Sequence, residues 1–284
     1  MTPIDWTTLV SPEALQPRLG DDDLVLLDCR GSLADPSAGV AAWRASHLPG
    51  ARHADMERDL SGPHAAGAGR HPWPDAAGFT AKLSAWGIWP ATQVVAYDDG
   101  DGAFAARLWF LLHALGHARV AVLDGGWRQW CAQGRPVDGL EPEPRPASYR
   151  ATFDDTLLVD ARGVRAHLDA GGLLLDARAA ERFRGEVEPI DRVAGHVPGA
   201  INRPYAANLV EGGFKASRVL RAEYEALLDG RDPEAVVAMC GSGVTACHHL
   251  LAMAHAGLPG ARLFTGSWSG WIEDPARPVS TRQI

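Results

Sequence analysis

A chain of 284 residues with 46% hydrophobic and 22% charged side chains has material for one large globular domain or two of ordinary size. No stretch approaches the ~20 consecutive apolar residues of a membrane-spanning helix, and the N-terminus lacks a basic-then-apolar leader, so a cytoplasmic protein without membrane contact is expected. A net charge of -8 with no long basic run speaks against nucleic acid as a partner and leaves any anionic substrate to local arginines.

In chain order, short apolar runs at Leu24–Leu27, Val94–Tyr97 and Val120–Leu123 read as buried strands. Between the last two, Ala103–Leu115 places Phe104, Leu108, Leu111, Leu112 and Leu115 at three- and four-residue steps, which predicts a helix. Farther on, Leu173–Asp176 and Val236–Met239 read as strands, the latter followed by a helix running to about Ala256. Strands alternating with helices predict an α/β fold, each domain a mostly parallel sheet flanked by helices.

The chain repeats itself. Leu26-Leu27-Asp28-Cys29-Arg30 returns as Leu174-Leu175-Asp176-Ala177-Arg178, and His47-Leu48-Pro49-Gly50-Ala51 as His196-Val197-Pro198-Gly199-Ala200. Val94 to Asp98 returns as Val236 to Cys240, and Gly125-Gly126-Trp127 with Trp130 as Gly266-Ser267-Trp268 with Trp271. The offsets of 148, 149, 142 and 141 leave the first copy about seven residues longer between its second and third blocks. Two tandem domains follow, at 1–137 and 151–284, joined by a proline- and charge-rich linker at 138–150. The paired tryptophans point to packing positions.

Cys240 opens the loop Cys240-Gly241-Ser242-Gly243-Val244-Thr245, between a strand and a helix N-terminus. Two glycines let backbone N–H groups turn inward, and the helix adds its positive end; such a cradle favours a thiolate and the terminal anion of a persulfide. The first copy carries Asp98 there, so one copy holds a nucleophile and the other does not. A phosphatase of the Cys-x5-Arg type is excluded, because the required arginine position is Ala246. Cys29 and Cys131 read as structural and Cys247 as a packing residue; the four cysteines lack zinc or disulfide spacing, as do His248 and His249, so no metal and no cofactor is expected.

With these features the sequence resembles the tandem-domain rhodanese family, and its CGSGVTA loop resembles that of 3-mercaptopyruvate sulfurtransferases. The resemblance spans both halves, including GHVPGA and GSWSGW. It implies an inactive N-terminal and a catalytic C-terminal rhodanese domain, and transfer of sulfur from a small-molecule donor through a Cys240 persulfide to cyanide or a thiol such as thioredoxin. Gly241 and Ser242 stand where thiosulfate-using relatives carry basic residues, which favours 3-mercaptopyruvate over thiosulfate. A non-catalytic sulfur-carrier or binding module is the alternative from another class.

The resemblance also assigns supporting roles. Arg182 in Arg-Phe-Arg-Gly matches the substrate-binding arginine; Arg192 matches a second, one residue out of register, and Gly241, Gly243, Val244 and Thr245 line the loop. Arg178, repeated as Arg30, is expected to serve the fold through Asp176 or Glu181. An acid and a histidine from the first copy's insertion are expected to act on Ser242. His71 is the best match, with His64 its rival; Glu57 is favoured as the acid over Asp55 and Asp59.

Overall fold

The computed structural model describes residues 5–143, 145 and 147–281, which gather into two compact units. The first comprises Met1–Gly62, Pro74–Asp154 and Glu211–Phe214; the second comprises Pro63–Trp73, Asp155–Val210 and Lys215–Ile284. Pro63–Trp73 thus belongs to the first copy by sequence and to the second unit by packing.

Each unit is built on a five-stranded parallel sheet with one strand order. In the first it runs Leu9–Val10, Val120–Leu123, Gln93–Tyr97, Leu24–Asp28, Arg52–His53. In the second it runs Leu158–Val159, Arg262–Phe264, Val236–Met239, Leu173–Asp176, Ala200–Asn202. The central strands are apolar apart from Gln93 because helices cover both faces of such a sheet, and every residue of Gln93–Tyr97 and Val236–Met239 is buried. The expected helices form at Ala105–Ala114 and Ala246–His255, the first of them with Ala103 and Phe104 left in the preceding loop. The described residues of the segment expected as linker contain no helix, yet they are anchored in the first unit. Asp138 bridges to His47, and buried Tyr149 places its hydroxyl 3.0 Å from His117 Nδ1.

The Asp-x-Arg repeats do the same work twice. Arg30 grips the Asp28 carboxylate at 2.6 Å and donates to the Ser46 carbonyl; Arg178 grips Asp176 at 2.7 Å and donates to the Gly195 carbonyl. Their guanidiniums lie 4.1 Å and 4.7 Å from the ring centres of Trp127 and Trp268. A buried carboxylate keeps its charge only when neutralised and hydrogen-bonded in this way. Arg178 lies 3.5 Å from Glu188 as a further acidic neighbour. Trp130, Trp268 and Trp271 are buried in the two cores, with indole N–H groups donating to the carbonyls of Pro136, Val193 and Pro278.

His248 and His249 are buried, not poised for chemistry. His249 Nε2 donates to the Arg203 carbonyl at 2.7 Å, while its Nδ1 lies 2.8 Å from the Tyr224 hydroxyl. Burial drives the His249 imidazolium down to a pKa of about 3, well below an unfolded histidine. The folded state therefore holds a neutral ring that the unfolded chain protonates below about pH 6.5, so this stability is full above that pH and drains as pH falls toward 3. Between pH 7 and pH 4 the loss is expected to reach ~3 kcal/mol. Denaturant unfolding at both pH values should show His249→Gln, though weaker at pH 7, losing correspondingly less. Equal losses would refute this assignment.

Candidate active site

Cys240 is the first residue beyond the carboxyl end of the strand Val236–Met239, where ligand sites of parallel sheets collect. It is buried, and its Sγ accepts the Gly243 N–H at 3.2 Å. Gly243 achieves this with a φ of 81°, a conformation that side chains resist. The short helix Ser267–Trp271 pins the outer side of the loop. The N–H of Trp268 donates to the Cys240 carbonyl at 3.0 Å and that of Ser269 to the Gly241 carbonyl at 2.9 Å, while Ser267 Oγ accepts the Cys240 N–H at 3.1 Å. Val244 is buried and Thr245 half-buried, their carbonyls receiving the N–H groups of Cys247 and His248 as the helix starts.

The first unit preserves this loop around a different side chain. Trp127 and Arg128 donate to the carbonyls of Asp98 and Asp99 as Trp268 and Ser269 do to those of Cys240 and Gly241. The Asp98 carboxylate accepts four backbone N–H groups, from Gly100, Gly102, Phe104 and Ala105, at 2.9–3.1 Å. Burial, seconded by Asp101, still pushes its pKa up to about 6. These backbone N–H groups oppose that rise, so the backbone of this loop by itself suits an anion.

Ser242, buried beside Cys240, lies 2.7 Å from Nδ1 of buried His71. His71 is delivered by a close backbone approach. Gly69 has a φ of 76°, and a β carbon there would meet the Gly266 carbonyl oxygen at 2.5 Å. The Gly69 N–H is bonded by Glu273 at 3.2 Å and the Arg70 N–H by Ser269 Oγ at 3.1 Å. His64, in the same segment, is exposed. Glu57 is also exposed and belongs to the first unit; there Asp59 is committed to Lys82 at 2.7 Å and Asp55 accepts the Arg58 N–H at 2.8 Å. A buried hydroxyl–imidazole pair next to a cysteine can move a proton to or from a group held at the sulfur.

Two guanidiniums approach the loop at Gly241. A β carbon on that residue would lie 3.1 Å from Arg70 Nη2 and 3.7 Å from both Nη atoms of Arg182. Arg182 is held by Glu188 at 2.7 Å and Asp191 at 3.1 Å, and Asp191 also pairs with Arg70. Burial raises the Asp191 carboxyl against the pull of Arg70, whereas Glu188, bonded by Arg182 and two backbone N–H groups, is lowered despite its burial. Arg192 takes another course and donates to the Ile272 carbonyl. Sequence reasoning passed over Arg70, Glu188, Asp191 and Ser267. Only Arg70 carried a signal, its place directly before His71.

The remaining thiols have ordinary surroundings. Cys247 is buried with Sγ 3.3 Å from the Gly243 carbonyl, burial raises Cys29 well above its usual range, and Cys131 is on the surface. Among the described residues, no cluster of three or more His, Cys, Asp or Glu side chains has the arrangement of a metal site. Nor is any described helix long and apolar enough to cross a membrane.

Comparison with known proteins gives the chain's family and relatives. The family described as the rhodanese-like domain matches twice, at residues 11–133 and 160–274. A probable 3-mercaptopyruvate sulfurtransferase of Pseudomonas aeruginosa is 51% identical over 277 residues, covering 96% of this chain and 98% of its own. Bos taurus thiosulfate sulfurtransferase is 37% identical, covering 80% of this chain and 77% of its own. The solved 3-mercaptopyruvate sulfurtransferase of Leishmania major superposes with a TM-score of 0.80 at 31% identity, over 93% of this chain and 73% of that one.

Proposed function

This chain belongs to the rhodanese-like domain family, and from that premise we propose that it is a sulfurtransferase drawing sulfur from 3-mercaptopyruvate onto Cys240. The Cys240 thiolate attacks the donor sulfur; the carbon–sulfur bond breaks with its electron pair leaving on carbon as pyruvate enolate. The donor's S–H proton departs, and Cys240 is left as a persulfide anion facing the loop N–H groups. The Ser242–His71 pair supplies the proton that converts the enolate to pyruvate. A thiol, for instance that of thioredoxin, or cyanide then attacks the outer sulfur and restores the Cys240 thiolate.

The observation that carries this reading is the 2.7 Å contact of Ser242 with His71 beside Cys240, a proton relay that a carbon leaving group needs. The balance of charge supports the choice of donor, since Arg70 and Arg182 are offset by Asp191 and Glu188, leaving little surplus for a doubly anionic one. Arg182 binds the donor carboxylate, Gly241, Gly243, Val244 and Thr245 shape the loop, and Glu57 remains the proposed acid behind His71. The first domain, with Asp98 in place of the cysteine, is the silent partner of the catalytic second. Four free cysteines fit a reducing cytoplasmic setting.

Thiosulfate is the second reading, favoured by the bovine relative. A donor panel at fixed acceptor concentration separates the two: wild type is expected to show the higher kcat/KM for 3-mercaptopyruvate. Arg182→Ala, which removes one charge-assisted carboxylate contact, should lower that value ~10- to 100-fold. A preference for thiosulfate in wild type would overturn the choice of donor.

A further inference from the structure

We propose that the first unit holds a small-molecule site of its own, a pocket built around Arg52 and His53 for a phosphomonoester carrying a planar ring. Every residue lining this pocket belongs to the first unit, whereas Cys240 belongs to the second, so the sulfur chemistry is not involved.

The cavity measures about 260 Å³ and opens beside the edge of the first sheet, where Arg52–His53 is the outermost strand. Consecutive residues of a strand point to opposite faces, and beside an edge both can border one hollow. Trp43 in the helix Ala38–Ala45 and Trp86 at the end of the helix Ala76–Ala85 wall it. Arg44 and Arg58 reach it from the exposed side, and Glu141 stands on the rim. Asp59, which pairs with Arg58 at 3.2 Å, is already matched by Lys82 at 2.7 Å, so the pocket keeps a positive surplus.

Two buried polar atoms of the lining have no hydrogen-bond partner, Nε of Arg52 and Nδ1 of His53. Buried polar groups are ordinarily satisfied, so each orphan calls for an explanation. His53 is only 8% exposed, and its Nε2 donates to the Arg30 carbonyl at 3.2 Å, which leaves Nδ1 for the cavity. Burial alone pulls the Arg52 guanidinium below its usual range, with no carboxylate to hold it up. An anion in the cavity answers both.

The second unit shows what the fold itself requires at these positions. By strand register Arg52 corresponds to Ile201 and His53 to Asn202. Asn202 Nδ2 donates to the Arg178 carbonyl at 2.9 Å, as His53 Nε2 does to that of Arg30. An amide thus fulfils the structural duty, and the imidazole brings a second nitrogen that the fold does not use. Ile201 is apolar and 39% exposed, so the sheet edge needs no guanidinium either. The ligand class follows from charge and size. A phosphate dianion offers several oxygens to guanidinium forks and matches a surplus that a monocarboxylate would leave uncompensated. A water occupies about 30 Å³, so the cavity has room beyond a phosphate group. That room lies against two indole rings, which suit a planar body.

The test is calorimetric titration of the full chain with phenyl phosphate, phenyl sulfate, phenol and inorganic phosphate. Phenyl phosphate is expected to bind saturably at one site per chain. Phenyl sulfate, alike in shape with one charge fewer, should bind ~10-fold or more weakly, inorganic phosphate more weakly than its phenyl ester, and phenol not at all. Arg52→Ile with His53→Asn, the pair that the second unit carries, should weaken phenyl phosphate ~10- to 100-fold. Arg44→Gln, on an exposed helix position that leaves the core alone, should weaken it by up to ~5-fold. Arg182→Ala, which alters the surroundings of Cys240, should bind phenyl phosphate as wild type does. No saturable binding, undiminished binding in the first two variants, or lost binding in Arg182→Ala overturns the site. Equal affinity for inorganic phosphate and its phenyl ester overturns the planar ring. If the double variant does not fold, Arg44→Gln and Arg182→Ala decide between this pocket and the surroundings of Cys240.

Discussion

Cys240→Ser is expected to abolish sulfur transfer, with residual activity at least ~10³-fold below wild type, while Cys247→Ser keeps most of it. The difference follows from position alone. Cys240 Sγ faces the turn of the loop and receives the Gly243 N–H, whereas Cys247 Sγ is spent on the Gly243 carbonyl inside the helix. A hydroxyl is too weakly acidic to be ionised in the same place, and its oxygen cannot store the donor's sulfur. Intact-protein mass spectrometry after incubation with donor should show one added sulfur in wild type and Cys247→Ser, removable by reductant. Addition of that mass to Cys240→Ser would place the carrier elsewhere and end the proposed mechanism.

The second large effect concerns the proton. His71→Ala and Ser242→Ala are each expected to lower kcat with 3-mercaptopyruvate ~100-fold or more, the usual contribution of a positioned acid or base. Because the two side chains meet at 2.7 Å and are proposed to act as one relay, the double variant should be little worse than either single one. A donor whose leaving group needs no protonation, such as thiosulfate, should feel the substitutions far less. Additive losses, or equal losses for both donors, would reduce the pair to packing.

How much of this was readable beforehand depends on the range of the interactions concerned. The strands Val120–Leu123, Leu173–Asp176 and Val236–Met239 have the bounds that their apolar runs suggested, because burial on both faces demands apolar residues throughout. Helix starts were less legible. Ala103 and Phe104 fit the periodicity of their helix, yet their residues turn with the loop to aim N–H groups from Phe104 and Ala105 at Asp98.

At the site, Cys240 and Gly243 are near neighbours in sequence, so local chemistry singled them out, whereas the role expected of Ser242 came from the family resemblance. Arg70 is 171 residues from Gly241, and no spacing rule connects them. Its position is set by the glycine contact at Gly69 and by Asp191, both of which emerge only on folding. The second cation, expected at Arg192, has a counterpart beside Gly241 in Arg70 of Pro63–Trp73, a segment whose composition alone resembles a solvated loop.

Asp98 has an implication for the history of the chain. The loop around it keeps its turn, its outer pins and its inward N–H groups although no sulfur is carried there. Socket and occupant are thus separable traits: the two repeated halves hold a carboxylate and a cysteine in the same socket, which each half uses to join a central strand to its helix. Replacing the nucleophile therefore leaves architecture intact, and the two halves have been free to diverge in chemistry without diverging in shape.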